Sequence, residues 1–272
     1  MLELFEYSFF TYAVIGVALI SIGSAIIGTY IVTRRLVAIS GGVTHACFGG
    51  LGLGYFLGIN PVVMAAIFAV VSSIGVEWMS SRLRLREDSA IAVIWAIGMA
   101  IGVMFVFITP GYVPELNSFL FGNVLTISRG DLWAFGIFTL ALILFFVWKY
   151  KEIVVCAFDR DFARVSGLPV RFITYTMTVF VAVCIVLTIR LVGVMLLMSM
   201  LSLPMMTAEV FCRRYRSMML VSVAVSLLTS LAGLFIGSMV DVPCSAFIVM
   251  LMSTTFIVAK IIDSFFLKSR HK

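Results

Sequence analysis

Long uncharged runs, broken by short clusters of arginine and lysine, constrain this chain more than any other feature. Residues 7–33, 36–76, 89–114, 132–148, 172–189, 191–208, 217–240 and 242–259 contain no aspartate, glutamate, lysine or arginine. A helix needs about 20 apolar residues to cross a bilayer, so each run predicts at least one span. The run 36–76 is long enough for two, turning at Gly58-Ile59-Asn60-Pro61. The expectation is an all-α, polytopic transmembrane bundle of nine spans. At Thr188-Ile189-Arg190-Leu191 no turn signal separates the flanking runs. A single bent or re-entrant element there would reduce the count to eight.

Composition agrees: 62% of residues are hydrophobic and only 12% charged, the signature of an integral membrane protein. The net charge of +6 could suggest nucleic acid, but the positions of the charges argue against that. Threading nine spans with the N-terminus outside places every one of the 19 basic residues except Arg129 and Arg190 on one face. By the positive-inside rule that face is cytoplasmic, and so is the C-terminus. Cys47, Cys156, Cys184, Cys212 and Cys244 are scattered without a CxxC, which argues against a disulfide framework or a cysteine-built metal site. The start, Met1-Leu2-Glu3-Leu4-Phe5-Glu6, lacks the basic region of a cleavable signal peptide.

In the second span Gly42, Ala46, Gly50, Gly54 and Gly58 recur every four residues. Small residues at that spacing let another helix backbone approach closely. Gly98/Gly102 and Gly233/Gly237 repeat the pattern. The same span carries His45, flanked by Thr44 and followed by Cys47. An ionisable group inside a span is a functional candidate, and imidazole ligates zinc and related metals. An interhelical hydrogen bond would explain a lone histidine equally well. Met195, Met198, Met200, Met205 and Met206 suit apolar packing better than Cu(I) binding in a chain with 16 methionines.

Between the fifth and sixth spans lies a charged island, residues 158–169. Phe158, Asp159, Arg160, Asp161, Phe162, Ala163 and Arg164 lead to a stop at Ser166, Gly167, Leu168 and Pro169. A short amphipathic helix in a cytoplasmic loop reads this way, with Asp161 near its start and Gly167 at its end. It suits the docking of a soluble partner; the plain alternative is a solvated loop. The sequence has no GxxxxGK[ST], GxSxG or histidine cluster, so it shows neither a nucleotide-binding loop nor a catalytic constellation.

Several segments, in order along the chain, resemble the membrane subunits of zinc/manganese-type ABC importers. Arg34-Arg35-Leu36 followed by Thr44-His45-Ala46 is similar to that family's "RRL…SHA". Residues 85–93, Leu-Arg-Glu-Asp-Ser-Ala-Ile-Ala-Val, resemble its entry into a helix, and residues 117–125 its "LFGN" element. Residues 158–169 resemble its "FD…A…SGLP" coupling segment. Val192-Gly193 through Leu197, with Pro204, Thr207 and Ala208, is similar to its "VG-x-L-L…P…TA" helix, and Asp241-Val242-Pro243 to its "D-x-P". One position departs: Gly41 stands where the family carries an aspartate, one helical turn before His45.

The resemblance implies one permease domain over residues 1–272, with the architecture of a type II-like ABC importer. It implies a homodimer, surrounded by membrane lipid, with the pathway between protomers. It also implies cytosolic ABC ATPase subunits gripping residues 158–169 and an extracellular or periplasmic metal-binding protein. The chain would not itself be an enzyme. ATP would be used by the partner, no cofactor would be bound covalently, and a divalent metal ion would be the substrate. A site short of oxygen donors leans towards zinc over manganese or iron. The bacterial cytoplasmic membrane would be its location. One alternative is a permease for a metal chelate such as cobalamin, haem or a siderophore, which needs a wider pathway. Another is a proton-coupled metal carrier, which needs several membrane carboxylates, whereas only Glu77 and Glu209 lie near helix ends.

The topology gives a first test. On a background lacking the native cysteines, an impermeant thiol reagent added outside should label a cysteine at position 118 and spare one at position 84. Labelling at 84 would overturn the orientation.

Overall fold

The computed structural model describes residues 8–83, 85–110, 122, 127–240 and 242–270, and every regular element among them is an α-helix. In chain order these are α1 (Ser8–Thr33), α2 (Val37–Leu57), α3 (Pro61–Leu83), α4 (Glu87–Ile108), α5 (Arg129–Phe158), α6 (Arg160–Val165), α7 (Val170–Phe211), α8 (Tyr215–Val240) and α9 (Cys244–Arg270). Arg84, Asp241, residues 1–7 and all of the 117–125 motif except Gly122 lie outside the described residues.

The described helices provide nine candidate spans because α7 contributes two, Val170–Ile189 and Leu191–Phe211. The chain reverses inside α7. Ser24 of α1 lies 3.8 Å from Cys184, and a methyl group added at Gly16 would stand 3.2 Å from Leu191. Gly28, further along α1, faces the Leu201 carbonyl. The chain therefore runs antiparallel to α1 up to about Leu191 and returns alongside it. The break falls at Gly193 (φ 77°, ψ 176°) rather than at Arg190. That conformation is essentially restricted to glycine, so the turn signal was a single glycine inside an apolar run.

The turn at residues 58–61 forms as expected. Gly58 ends α2 in the left-handed conformation, the Asn60 side chain accepts from the Val62 amide at 3.0 Å, and Pro61 opens α3. α5 starts with a capping box, in which the Ser128 amide donates to Asp131 at 3.0 Å and the Asp131 amide donates to Ser128 Oγ at 3.3 Å. It runs 30 residues, kinking at Lys149, and so extends past the apolar run that predicted it.

α2 is the most buried span, and its small residues explain why. A methyl group added at Gly102 of α4 would stand 2.6 Å from the Phe48 carbonyl oxygen, and one at Gly98 2.5 Å from Ala46 Cα. Added at Gly50 or Gly54 of α2, it would stand 2.5 Å from the Met64 carbonyl oxygen or 2.8 Å from Pro61 Cα of α3. The stripe thus serves two neighbours: Gly42 and Ala46 face α4, while Gly50 and Gly54 face α3. A four-residue step turns about 40° beyond one full turn, which carries the stripe around the helix. Gly58 departs from its expected packing role, since nothing lies within 4 Å of its added methyl and it acts as the helix cap. Gly233 and Gly237 pack α8 on α9 against Ile248 and Cys244.

Gly102→Leu should cost about 1–3 kcal/mol through overpacking and lower the melting midpoint of the purified protein in detergent. Gly136→Leu, at a site with nothing within 4 Å, is the control and should melt near wild type. Equal midpoints for the two variants would contradict the backbone approach of α4 to α2.

Candidate functional site

Alternate spans bring the ends of α1, α3, α4 and α5 to one face of the bundle, the face rich in arginine. Four charges from four segments close into a ring there. Arg34, just after α1, donates from Nη2 to Glu87 at the start of α4 (2.8 Å) and lies 3.8 Å from Glu77 near the end of α3. Arg160 of α6 reaches the same two carboxylates, Glu77 at 3.0 Å and Glu87 at 3.0 Å. Each charge in the ring therefore neighbours two of opposite sign. The inner pair is well buried, with 4% of the Arg34 side chain and 11% of the Glu77 side chain exposed. Arg34 Nη1 also donates to the Tyr30 hydroxyl at 2.8 Å. Burial works against the Arg34 charge, but Tyr30, Glu87 and Glu77 more than offset it and raise its pKa above the ordinary value. Buried charges are tolerated when each finds partners in this way.

The island at residues 158–169 folds as α6 with both ends capped. Asp159 accepts from the amides of Asp161 (3.0 Å) and Phe162 (2.9 Å), so the cap is Asp159 and Asp161 sits in the first turn. At the far end the Leu168 amide donates to the Ala163 carbonyl and the Gly167 amide to the Arg164 carbonyl, both at 3.1 Å. This Schellman arrangement needs the left-handed Gly167 (φ 74°) after Ser166. Pro169 then leads into α7. Ala163 is fully buried, and Leu168 packs against the core beside it. Phe162 is 61% exposed and Val165 90% exposed. Phe158 is exposed too, one ring face edge-on to Tyr215. Arg164 pairs with Asp161 within the helix at 3.2 Å. The six-residue helix thus turns Arg160 and Ala163 towards the bundle and leaves Phe162 and Val165 exposed, along with the Asp161–Arg164 pair.

His45 lies half-buried in α2, its ring parallel to Trp95 of α4 at 4.6 Å between centroids. Its Nδ1 is buried without a hydrogen-bond partner among the described residues. The side of α2 one turn earlier meets Met198 of α7, whose methyl group would lie 3.0 Å from a Cβ at Gly41. Thr44 and Cys47 are not brought to His45. Both are buried, and the Thr44 hydroxyl donates to the Ser40 carbonyl. Successive residues turn 100° on a helix, so Thr44 and Cys47 diverge from the histidine. No group of three or more His, Cys, Asp or Glu side chains among the described residues could hold a metal ion.

Sequence reasoning named Arg160 and His45 but missed Glu77, Glu87, Val165, Trp95 and Met198 as their company. Arg34 and Glu87 sat inside quoted motifs, yet 53 positions separate them, and nothing in a single sequence pairs charges at that distance.

The profile of the ABC 3 transport family matches residues 6–263. An uncharacterised membrane protein of Synechocystis sp. is 32% identical over 95% of this chain and 92% of its own length. The manganese transport system membrane protein MntC of Halalkalibacterium halodurans is 29% identical over 94% of this chain and 88% of its own length. Among solved structures, PsaBC from Streptococcus pneumoniae in complex with Fab superposes with a TM-score of 0.81 at 24% identity, covering 95% of both chains.

Proposed function

Because this chain belongs to the ABC 3 transport family, we propose that it is the permease subunit of an ATP-driven importer of a divalent transition metal ion. It works as a homodimer with the pathway between protomers. A metal-binding protein delivers the ion on the outer side, and two ATPase subunits bind on the arginine-rich, cytoplasmic side. The observation that carries this reading is α6: a capped helix at the arginine-rich end, with Phe162 and Val165 exposed and Ala163 anchored. Apolar side chains on a short rigid helix suit insertion into a hydrophobic groove of a soluble partner. Phe158, Asp161, Arg164, Ser166, Gly167, Leu168 and Pro169 frame that helix and set its ends.

ATP supplies the drive and this chain supplies alternating access. A proton-coupled carrier fits less well, because Glu77 is held by two arginines rather than left free to exchange protons.

Zinc ranks ahead of manganese in this reading. His45 offers nitrogen and Met198 a thioether beside Gly41, which itself brings no side-chain oxygen, and manganese favours oxygen donors. The name of the Halalkalibacterium relative points the other way, so competition between zinc, manganese and iron for uptake in proteoliposomes decides the cargo.

Phe162→Asp or Val165→Asp should abolish co-purification of the ATPase while the detergent-purified permease melts as wild type; retained ATPase would sink the docking role. His45→Ala should weaken uptake at least about tenfold, as loss of groups at metal sites does, with assembly intact. His45→Asn should match alanine if the ring nitrogen ligates the ion. Full transport by the asparagine variant would assign His45 to hydrogen bonding alone.

A further inference from the structure

α6 is continuous in the chain with α5 and α7, and its backbone packs on both. It meets α3 and α4 differently. A hollow of about 310 Å³, lined by Glu77, Trp78, Arg82, Arg160, Arg164 and Tyr175, lies between α6, α3 and the start of α7. Arg160 spans this region with a forked grip, Nη2 on Glu77 of α3 and Nη1 on Glu87 of α4. The other charged pair of α6, Asp161 with Arg164, closes on itself. Behind the fork, Arg34 holds both carboxylates from the bundle side and is itself tied to Tyr30.

The two gripped helices are the ones seated backbone to backbone on α2, and α2 carries His45. A guanidinium bonded to carboxylates on two helices resists displacement in more than one direction, because its planar fork is rigid. Arg34 prevents the carboxylates from swinging away with it.

We propose that Arg160, Glu77 and Glu87 form a mechanical joint that carries displacement of α6 into α3 and α4, and so to α2. Glu77 and Glu87 act in it as positioning residues, bonded to Arg160 and Arg34. This rests on the reading of α6 as the ATPase docking element. Without the joint, α6 rocks into the hollow, and ATP is hydrolysed without moving the pathway helices.

The test uses proteoliposomes containing the permease, the ATPase that co-purifies with it and its external binding protein. Ions imported per ATP hydrolysed is the readout. Glu77→Gln and Glu87→Gln should keep ATPase association and hydrolysis within about twofold of wild type, yet lower that ratio by roughly tenfold, the scale of residues that carry coupling. Glu87→Asp, which keeps the charge on a shorter arm, should fall between. As an internal control on folding, Glu87→Cys combined with Arg160→Cys in a cysteine-free background is read before and after a rigid bis-maleimide. The cross-link should restore the ratio in the same protein preparation.

An unchanged ratio in both glutamine variants would overturn the joint. So would a cross-link that restores nothing, or glutamine variants that lose the ATPase, which would assign the glutamates to docking. A wild-type permease that recruits no ATPase refutes the earlier reading of α6 instead.

Discussion

Lipid tails are as apolar as leucine, so helices in a bilayer gain nothing from hiding hydrophobic side chains from one another. What holds them is the closeness of their contact, and closeness depends on what is absent from their surfaces. α2 meets α4 and α3 at distances that leave no room for a methyl group at Gly50, Gly54, Gly98 or Gly102. The arrangement of three spans follows from those missing side chains. So does the position of His45, which lies on the strip of α2 beside the α4 contact and stacks on Trp95 of that helix.

The arginine-rich end obeys a different economy. Burying Arg34 and most of Glu77 is costly, and a buried ion pair seldom returns a large net gain in stability. Its value is directional. Hydrogen bonds between charged groups fix angle and distance in a way that apolar contact does not. The bundle thus joins its helices by two means, non-directional packing in the middle and oriented charge at one end.

Much of this was legible in the sequence. Eight uncharged stretches, one of them long enough for two helices, pointed to nine spans, and Gly58-Ile59-Asn60-Pro61 to the reversal between α2 and α3, because glycine and proline act locally. The reversal in α7 was legible as a boundary between two spans at Arg190, without a turn signal to place it. The conformation that makes it belongs to Gly193, and a glycine inside an apolar run looks the same whether it packs or turns. The small-residue stripe was legible as a periodicity, but not as one that winds from α4 to α3 and ends in a cap. The charge ring was invisible for a stronger reason. Its members come from four segments, and only the packing of the spans brings Glu77 within reach of Arg160, 83 positions away. Local signals reach the elements; the partners of long side chains are settled by the fold.

The length of α5 carries a consequence for the membrane around it. Its 30 residues rise about 45 Å, which matches the full thickness of a bilayer with its headgroups rather than the hydrocarbon layer alone. The kink falls at Lys149, where the ammonium bonds Glu152 at 2.8 Å and sits 4.7 Å from the Trp148 ring centroid, at the end of the uncharged run 132–148. Beyond it Ile153, Cys156 and Ala157 are buried against the bundle, and α6 follows directly. The position of α6 is therefore set by the bundle, through Arg160 and Ala163, while the level of the lipid surface varies with acyl-chain length. A thicker bilayer would bring its headgroups nearer to Phe162 and Val165, and a thinner one would leave the pair farther from the lipid.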